Sequence, residues 1–353
     1  MNAHRLVIIA AALTMVVTAA LASALAVFIG QALPRAVRHD LSVAGGTALV
    51  ISGKADASQA AQYTSTLPGQ IRTALGGTPF SFYHAYRSDP LGFVPGSRPT
   101  QPASAGNLPI AEAASLDGIT AQAVLISGRW PGGPAAGPLN GAIPAALPAA
   151  AAALLHVADG DMLRLKDRVS GQYVRLVITG LYRPRQVSLP YWGLNDIPLS
   201  GSSTVSGFTT YGPLTVQAAA FAGSLTVSAG SWLAQPQTAN IPPGQLSTVA
   251  GNVHALQQAL QDAQVLPDLA LTTSLPSVLL GTASNLDVAR SLLAVCAVLL
   301  FLLAAAALLA VARMLTGQRE GESAMLTARG ATRWQLVRLT AAEAIPPWSS
   351  PRA

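Results

Sequence analysis

Charge is what this chain has least of: 10% of its 353 residues are Asp, Glu, Lys or Arg, against 51% apolar ones. Soluble domains usually carry about 25% charged residues, so part of this chain is predicted to lie out of water. Cysteine is nearly absent as well. The single Cys296 excludes an intramolecular disulfide and any cluster of Cys ligands for zinc or iron–sulfur. Aromatic residues make up 5%, too few to suggest a cofactor box. Only Lys54 and Lys166 represent lysine, beside many arginines and much alanine, a bias that fits a GC-rich coding sequence. The formal charge is +6, yet residues 34–289 hold 13 positive and 12 negative side chains. The excess sits at the edges, on Arg5, Arg290 and six Arg against three Glu from residue 313 onward. A nucleic-acid surface gathers basic charge on the folded body among aromatic stacking groups, and this tally gives no sign of one. Nucleic acid is therefore not an expected partner.

Long uncharged runs are what the chain has in place of charge. From Leu6 to Leu33 no ionisable side chain occurs, and about 20 apolar residues suffice to cross a bilayer core. The first expected transmembrane helix is Leu6 to Ile29. Its rival is a cleaved signal peptide, because Arg5 and Ala24-Leu25-Ala26 supply a basic start and a small-residue site, but the apolar stretch exceeds the usual signal core. A second uncharged run spans Ser291 to Ala312 between Arg290 and Arg313, apolar on every side, which suits lipid or neighbouring helices. Arg313, Arg319, Arg329, Arg333 and Arg338 follow it, so that flank is expected in the cytoplasm. Both termini are then cytoplasmic and residues 34–289 extracellular, in a multi-pass protein of the cell membrane. Arg35 and Arg38 weaken the asymmetry slightly.

The intervening segment mixes two periodicities and is expected to fold as an α+β domain. Strands are predicted at Thr47–Ile51, Ala123–Ser127, Val174–Thr179 and Ser224–Val227. Helices are predicted at 54–75, around Pro68, at Ala145–Val157, and through Val249, Val253, Leu256 and Leu260. Pro, Gly and Ser mark loops at Asp89–Pro109, Pro131–Pro138 and Pro236–Gly244. A long helix from Pro276 or Ser277 to Met314 would measure about 57 Å, with Gly281 as a weak point.

Catalytic motifs are missing where each was sought. Ala48 to Ala55 ends in Gly53-Lys54-Ala55, and Ala replaces both the first Gly of a phosphate-binding loop and its Ser or Thr. The five histidines lack partners at zinc-site spacing, and no Gly-X-Ser-X-Gly occurs. Asp159 and Asp161 around Gly160 read as a turn feeding a strand at Met162 to Lys166. No enzyme and no cofactor are expected.

Beyond Arg313 the string QREGESAMLTARGATRWQLVRLTAAEA (318–344) has two apolar helical faces separated at Gly330, with Thr332 able to cap the second. A basic amphipathic segment on anionic lipid would carry the same charges. Arg319-Glu320, Leu326, Arg329-Gly330-Ala331, Arg333-Trp334, Gln335-Leu336 and Ala342-Glu343-Ala344 resemble, in order, the signature after the second span of FtsX-like permeases, the membrane subunits of MacB-type ABC transporters. ISGRWP (126–131), 146–171, VRLVITGLYRPR (174–185) and Tyr191-Trp192 look like the extracellular domain of large actinobacterial members.

The resemblance implies a domain plan. Residues 1–33 make a stub and first span, 34–289 the extracellular domain, 290–312 the second span and 313–344 a cytoplasmic coupling segment. The tail 345–353, rich in Pro and Ser, departs from the family, which continues into further spans, so a fragment or shortened chain is expected. The resemblance also implies a separate ATP-binding subunit, the lipid bilayer and a second permease copy as partners, with Arg319, Glu320, Arg329, Gly330, Arg333 and Trp334 as the surface meeting the ATPase. The competing expectation is a two-span sensor or assembly factor whose outer domain binds an envelope ligand or hydrolase.

Overall fold

The computed structural model describes residues 16–24, 27–43, 45–96, 106–132, 141–261 and 269–328. By its packing the chain divides into two compact units, Ala36–Ser284, and Met1–Arg35 together with Asn285–Ala353.

Residues 16–24 are helical, and a π-helical turn at Phe28–Ala32 leads into α1 (Leu33–Val43). The larger unit then runs β1 (Leu49–Lys54), α2 (Ala57–Ala74) and β2 (Phe80–Ser88). An intervening set follows: β3 (Leu91–Phe93), β4 (Leu108–Leu116), α3 (Ile119–Gln122), β5 (Ala123–Gly128), β6 (Ile143–Pro148), α4 (Ala149–Leu155), β7 (Met162–Asp167), β8 (Tyr173–Pro184), β9 (Ser202–Val205) and β10 (Phe208–Thr215). The chain returns through β11 (Val227–Pro236), α5 (Leu246–Gln261) and β12 (Leu269–Thr272) to α6 (Leu275–Ala328).

Two layouts share this one twelve-stranded sheet. Four strands lie in the order β12-β1-β11-β2 with every neighbour antiparallel. With α2 after β1 and α5 after β11, this is a split βαβ arrangement of the ferredoxin-like kind, interrupted between β2 and β11 by residues 89–226. The insertion closes on itself, because β4, β3, β7, β8, β6 and β10 pair in succession and β10 pairs back to β4. Such closure removes exposed strand edges. β4 belongs to both layouts, its last residues pairing with β2 through Ala85↔Leu116 and Arg87↔Ala114.

Side-chain alternation explains which faces are covered. On β1, Leu49 and Ile51 are fully buried, and the central β11 residue Trp232 is buried with them. Its indole meets Tyr63 of α2 edge-on at 5.5 Å and donates from Nε1 to Thr64 Oγ1 at 2.8 Å. Thr64 Oγ1 also lies 2.9 Å from Tyr86 Oη. α2 itself starts in a reciprocal cap, Gln59 N donating to Asp56 Oδ1 at 2.8 Å and Asp56 N to Gln59 Oε1 at 3.0 Å. The helix stays unbroken across Pro68, which lacks the N–H for its turn. In the insertion, Leu163, Leu165, Leu176, Ile178, Ala145 and Leu147 are buried, while the alternate residues of β7 stay exposed. A third cluster joins the layouts: Leu233 and Ala85 pack with Tyr182, Tyr191 and Leu194.

Several expectations need correction. Ala145–Val157 is not one helix, since β6 runs through Pro148 before α4 begins. Long alanine runs favour helix, but Pro144 and Pro148 bracket an extended segment paired with β8. The strand expected at Ser224–Val227 starts at Val227, and Thr47 and Ala48 precede β1. Asp89–Pro109 holds β3 and the start of β4 besides its loop. The domain is richer in strands than the sequence suggests. Of the first expected transmembrane helix, residues 16–24 and 27–29 are helical and 6–15, 25 and 26 lie outside the described residues; among the described residues one helix, α6, is long and apolar enough to cross a membrane.

Candidate functional site

Residues leading out of the folded unit converge at one place. α6 begins after Ser274, whose backbone N–H donates to Gly46 O at 3.3 Å and whose Oγ donates to the same carbonyl at 2.6 Å. Leu275 N donates to Thr273 Oγ1 at 3.1 Å and Pro276 has no N–H to satisfy, while Ser277 Oγ donates to Ser274 O at 2.7 Å, which ties the first turn to the residue before it. Leu275 and Leu279 are fully buried. Gly46 is there for geometric reasons: its φ is +72°, and an added Cβ would collide with Ser274 Oγ. α1 is fastened to the same unit. Val37 and Leu41 are buried, and Thr238 Oγ1 donates to Leu41 O at 2.7 Å. We term this set of interactions the helix root.

From the root α6 runs 54 residues without interruption, about 81 Å at 1.5 Å per residue. Its stretch Leu275–Ala310 is long and apolar enough to cross a membrane; the most apolar 18-residue window within it has mean hydropathy 3.0, and none of that window is buried. A core helix of a soluble fold would be covered, and a signal sequence would lie near the N-terminus; this helix fits neither. Phe301 and Leu303 are more than 70% exposed, which water does not favour and hydrocarbon does. Just ahead of the uncharged run that begins at Ser291, Arg290 Nη1 approaches Asp287 Oδ1 at 3.8 Å.

Of the residues expected to meet an ATPase, Arg319 and Glu320 fall on the last part of α6. Arg329, Gly330, Arg333 and Trp334 lie outside the described residues, as does the capping position Thr332. Gly281 lies within the unbroken helix with open space around it.

A second polar assembly sits where the two layouts share β4. Arg87 pairs with Asp196, and Asn195 Nδ2 donates to Glu112 Oε1 at 3.1 Å while its Oδ1 accepts from Ile197 N at 2.8 Å. Burial raises the Glu112 carboxyl above its ordinary value, with Arg87 and the Asn195 amide pulling it back and Asp196 adding to the rise. Tyr191 Oη donates to Asp117 O at 2.7 Å, and burial raises this phenol far above its ordinary value. His84 Nδ1 lies 3.6 Å from Asp117 Oδ2, and burial lowers its imidazole against that carboxylate's pull. These interactions lock the insertion to β2 and expose no nucleophile paired with a base.

An open cleft of about 580 Å³ lies at the end of the β7–β8 hairpin, lined by Phe93, Lys166, Arg168 and Tyr173 among others. Asp167 Oδ1 accepts from Val169 N and Ser170 N at 2.8 and 3.0 Å, shaping its turn. Asp159 and Asp161 form the expected turn, Ala158 N donating to Asp161 Oδ2 at 2.8 Å.

Sequence reading placed α6 but missed its root. Ser274 before Leu275-Pro276 is a readable helix start, since Pro suits the first turn. Gly46, Thr238 and Leu41 carried no local signal, because their role depends on partners nearly 200 residues or more away.

No protein-family model matches this sequence, and no curated protein matches it. Among solved structures, the chain is similar to a domain described as belonging to a permease protein from Porphyromonas gingivalis, at 10% identity and a TM-score of 0.29, over 65% of this chain and 90% of that one. A likeness at that level carries no argument about what this chain does. What stands on its own geometry is a strand-rich folded unit joined to a helix of membrane-crossing length.

Proposed function

We propose that this chain is a permease subunit, or part of one, of an ABC transporter of the FtsX/MacB type. In this reading a separate ATP-binding protein acts on the cytoplasmic end of α6 and its motion is passed to the strand-rich unit outside, for export or for mechanical signalling across the envelope. The chain itself hydrolyses nothing.

One observation carries the reading: α6 is an unbroken helix from the buried Leu275 and Leu279 through the apolar stretch to Ala328. A hinge at the membrane would dissipate displacement, whereas a continuous hydrogen-bonded rod delivers it. The motif residues Arg319, Glu320, Arg329, Gly330, Arg333 and Trp334 supply the proposed contact with the ATPase. Both termini are then cytoplasmic.

Affinity capture of the full chain from membranes tests this. An ATP-binding protein should be recovered with the intact chain and lost when Arg329 and Arg333 are both replaced by Glu. Recovery of envelope proteins alone would favour the sensor reading and remove this one.

A further inference from the structure

The nearly neutral charge of the folded unit conceals a polarised one. Within 162–185, the β7–β8 hairpin, stand six basic residues, Arg164, Lys166, Arg168, Arg175, Arg183 and Arg185, and one acid, Asp167. The rest of 36–284 carries six basic residues and ten acidic ones. All six hairpin cations are exposed, and the one acid is buried in its own turn.

Register sharpens the point. Arg164 is directly opposite Arg175, and Lys166 directly opposite Tyr173. Opposed residues on a sheet face hold their Cβ atoms about 4.5–5.5 Å apart, where like charges are destabilising. Among the described residues neither arginine makes an ion pair with a carboxylate. Lys166 lies 5.6 Å from the Tyr173 ring and Arg168 5.5 Å from the Phe208 ring, which tethers the stems and leaves the charge outward. Arg183 is exposed further along β8, beyond the buried Thr179, and stands apart from this cluster. A fold keeps such an arrangement at a cost in stability, and an anion between the guanidinium groups would remove it.

We infer that the outward face of β7 and the first half of β8 binds a linear polyanion that carries its charge on phosphate groups along the chain, with Arg164 and Arg175 gripping it between them and Lys166 extending the track. Charge complementarity argues for the class of ligand. A folded protein partner would need an apolar centre to its interface, whereas this face offers only Met162, Tyr173 and the hairpin tip Val169 as large exposed apolar groups. Guanidinium forks match phosphate oxygens two at a time. The inference does not depend on the permease reading, since it concerns the insertion alone.

Full-length protein in a zwitterionic detergent is titrated with long-chain inorganic polyphosphate over a series of salt concentrations. Binding is expected, weakening with salt, and Arg164→Gln with Arg175→Gln should lower the slope of log affinity against log salt by about 1.5, near 0.7–0.9 for each arginine removed. The double variant should also unfold at a temperature equal to or above the parent's, because a repulsion is removed. No binding, or binding unchanged by the double substitution, overturns the inference. Equal affinity for poly-glutamate points to an acidic protein segment, and preferential binding to phosphatidylglycerol vesicles points to a membrane surface; either result also overturns it.

Discussion

At Gly46 the backbone does what no other residue could do cheaply. Its φ of +72° and its nearness to Ser274 Oγ make two separate demands, so Gly46→Ala should lower stability by about 1–3 kcal/mol for the conformation, plus the cost of displacing Ser274. Thermal unfolding of Gly46→Ala alone and with Ser274→Ala separates the two: the second change should relieve part of the loss, and a parent-like midpoint for Gly46→Ala would refute the assignment. Thr64 is a comparable pivot, since its hydroxyl serves both Trp232 and Tyr86. Thr64→Val should cost about 1–3 kcal/mol by leaving the buried indole N–H unmet. An unchanged denaturant midpoint would show that the bond contributes nothing.

Glu112 gives a pH signature. Its carboxyl titrates higher in the fold than in the unfolded chain, so between those two values the fold holds the extra proton. This group therefore favours the fold as pH falls through the folded value towards the unfolded one, and opposes it above. Glu112→Gln should gain on the parent towards neutral pH and lose that advantage in acid. A difference between the two that stays constant from about pH 4 to 8 would contradict this. Asp56 runs the opposite way: the Ser58 hydroxyl first, then the Gln59 N–H, hold its carboxyl below the ordinary value, and this support for the fold is lost as pH falls through the lowered value.

At the scale of elements, the sequence was most legible where a pattern was long and local. α2, α5 and α6 fall where apolar spacing and hydropathy placed them. β5, β7 and the first half of β8 do too. β2, β9, β10 and β12 went unread: β2 and β10 depart from strict burial alternation and pair with strands from far along the chain, β2 with β11 across more than 130 residues, while β9 and β12 are only four residues each. β6 misled because alanine favours helix, whereas its prolines and its partner β8 decide otherwise. The chemistry of the root was legible only at Ser274. Gly281 offers a test of α6 as a rod: with open space around it, Gly281→Ala should raise helix stability by about 1 kcal/mol, and slower amide exchange across 278–285 would report it. Unchanged exchange there would mean that helix propensity does not limit the segment.

For the whole molecule, the proposed reading puts the strand-rich unit and the coupling segment on opposite sides of a membrane, with α6 between them. The split βαβ layout supplies the platform for the root, and the insertion extends that platform into a closed set of strands. Net charge alone hid the basic hairpin, because opposite charges elsewhere in the unit cancel it. A single native thiol makes the decisive test simple. In a Cys296→Ala background, one cysteine is introduced at Val169, exposed at the hairpin tip, and in a second variant at Gln318. Intact cells are treated with a membrane-impermeant thiol reagent. The account predicts labelling at 169 without permeabilisation and at 318 only after it; labelling of both in intact cells, or of 318 alone, would contradict it.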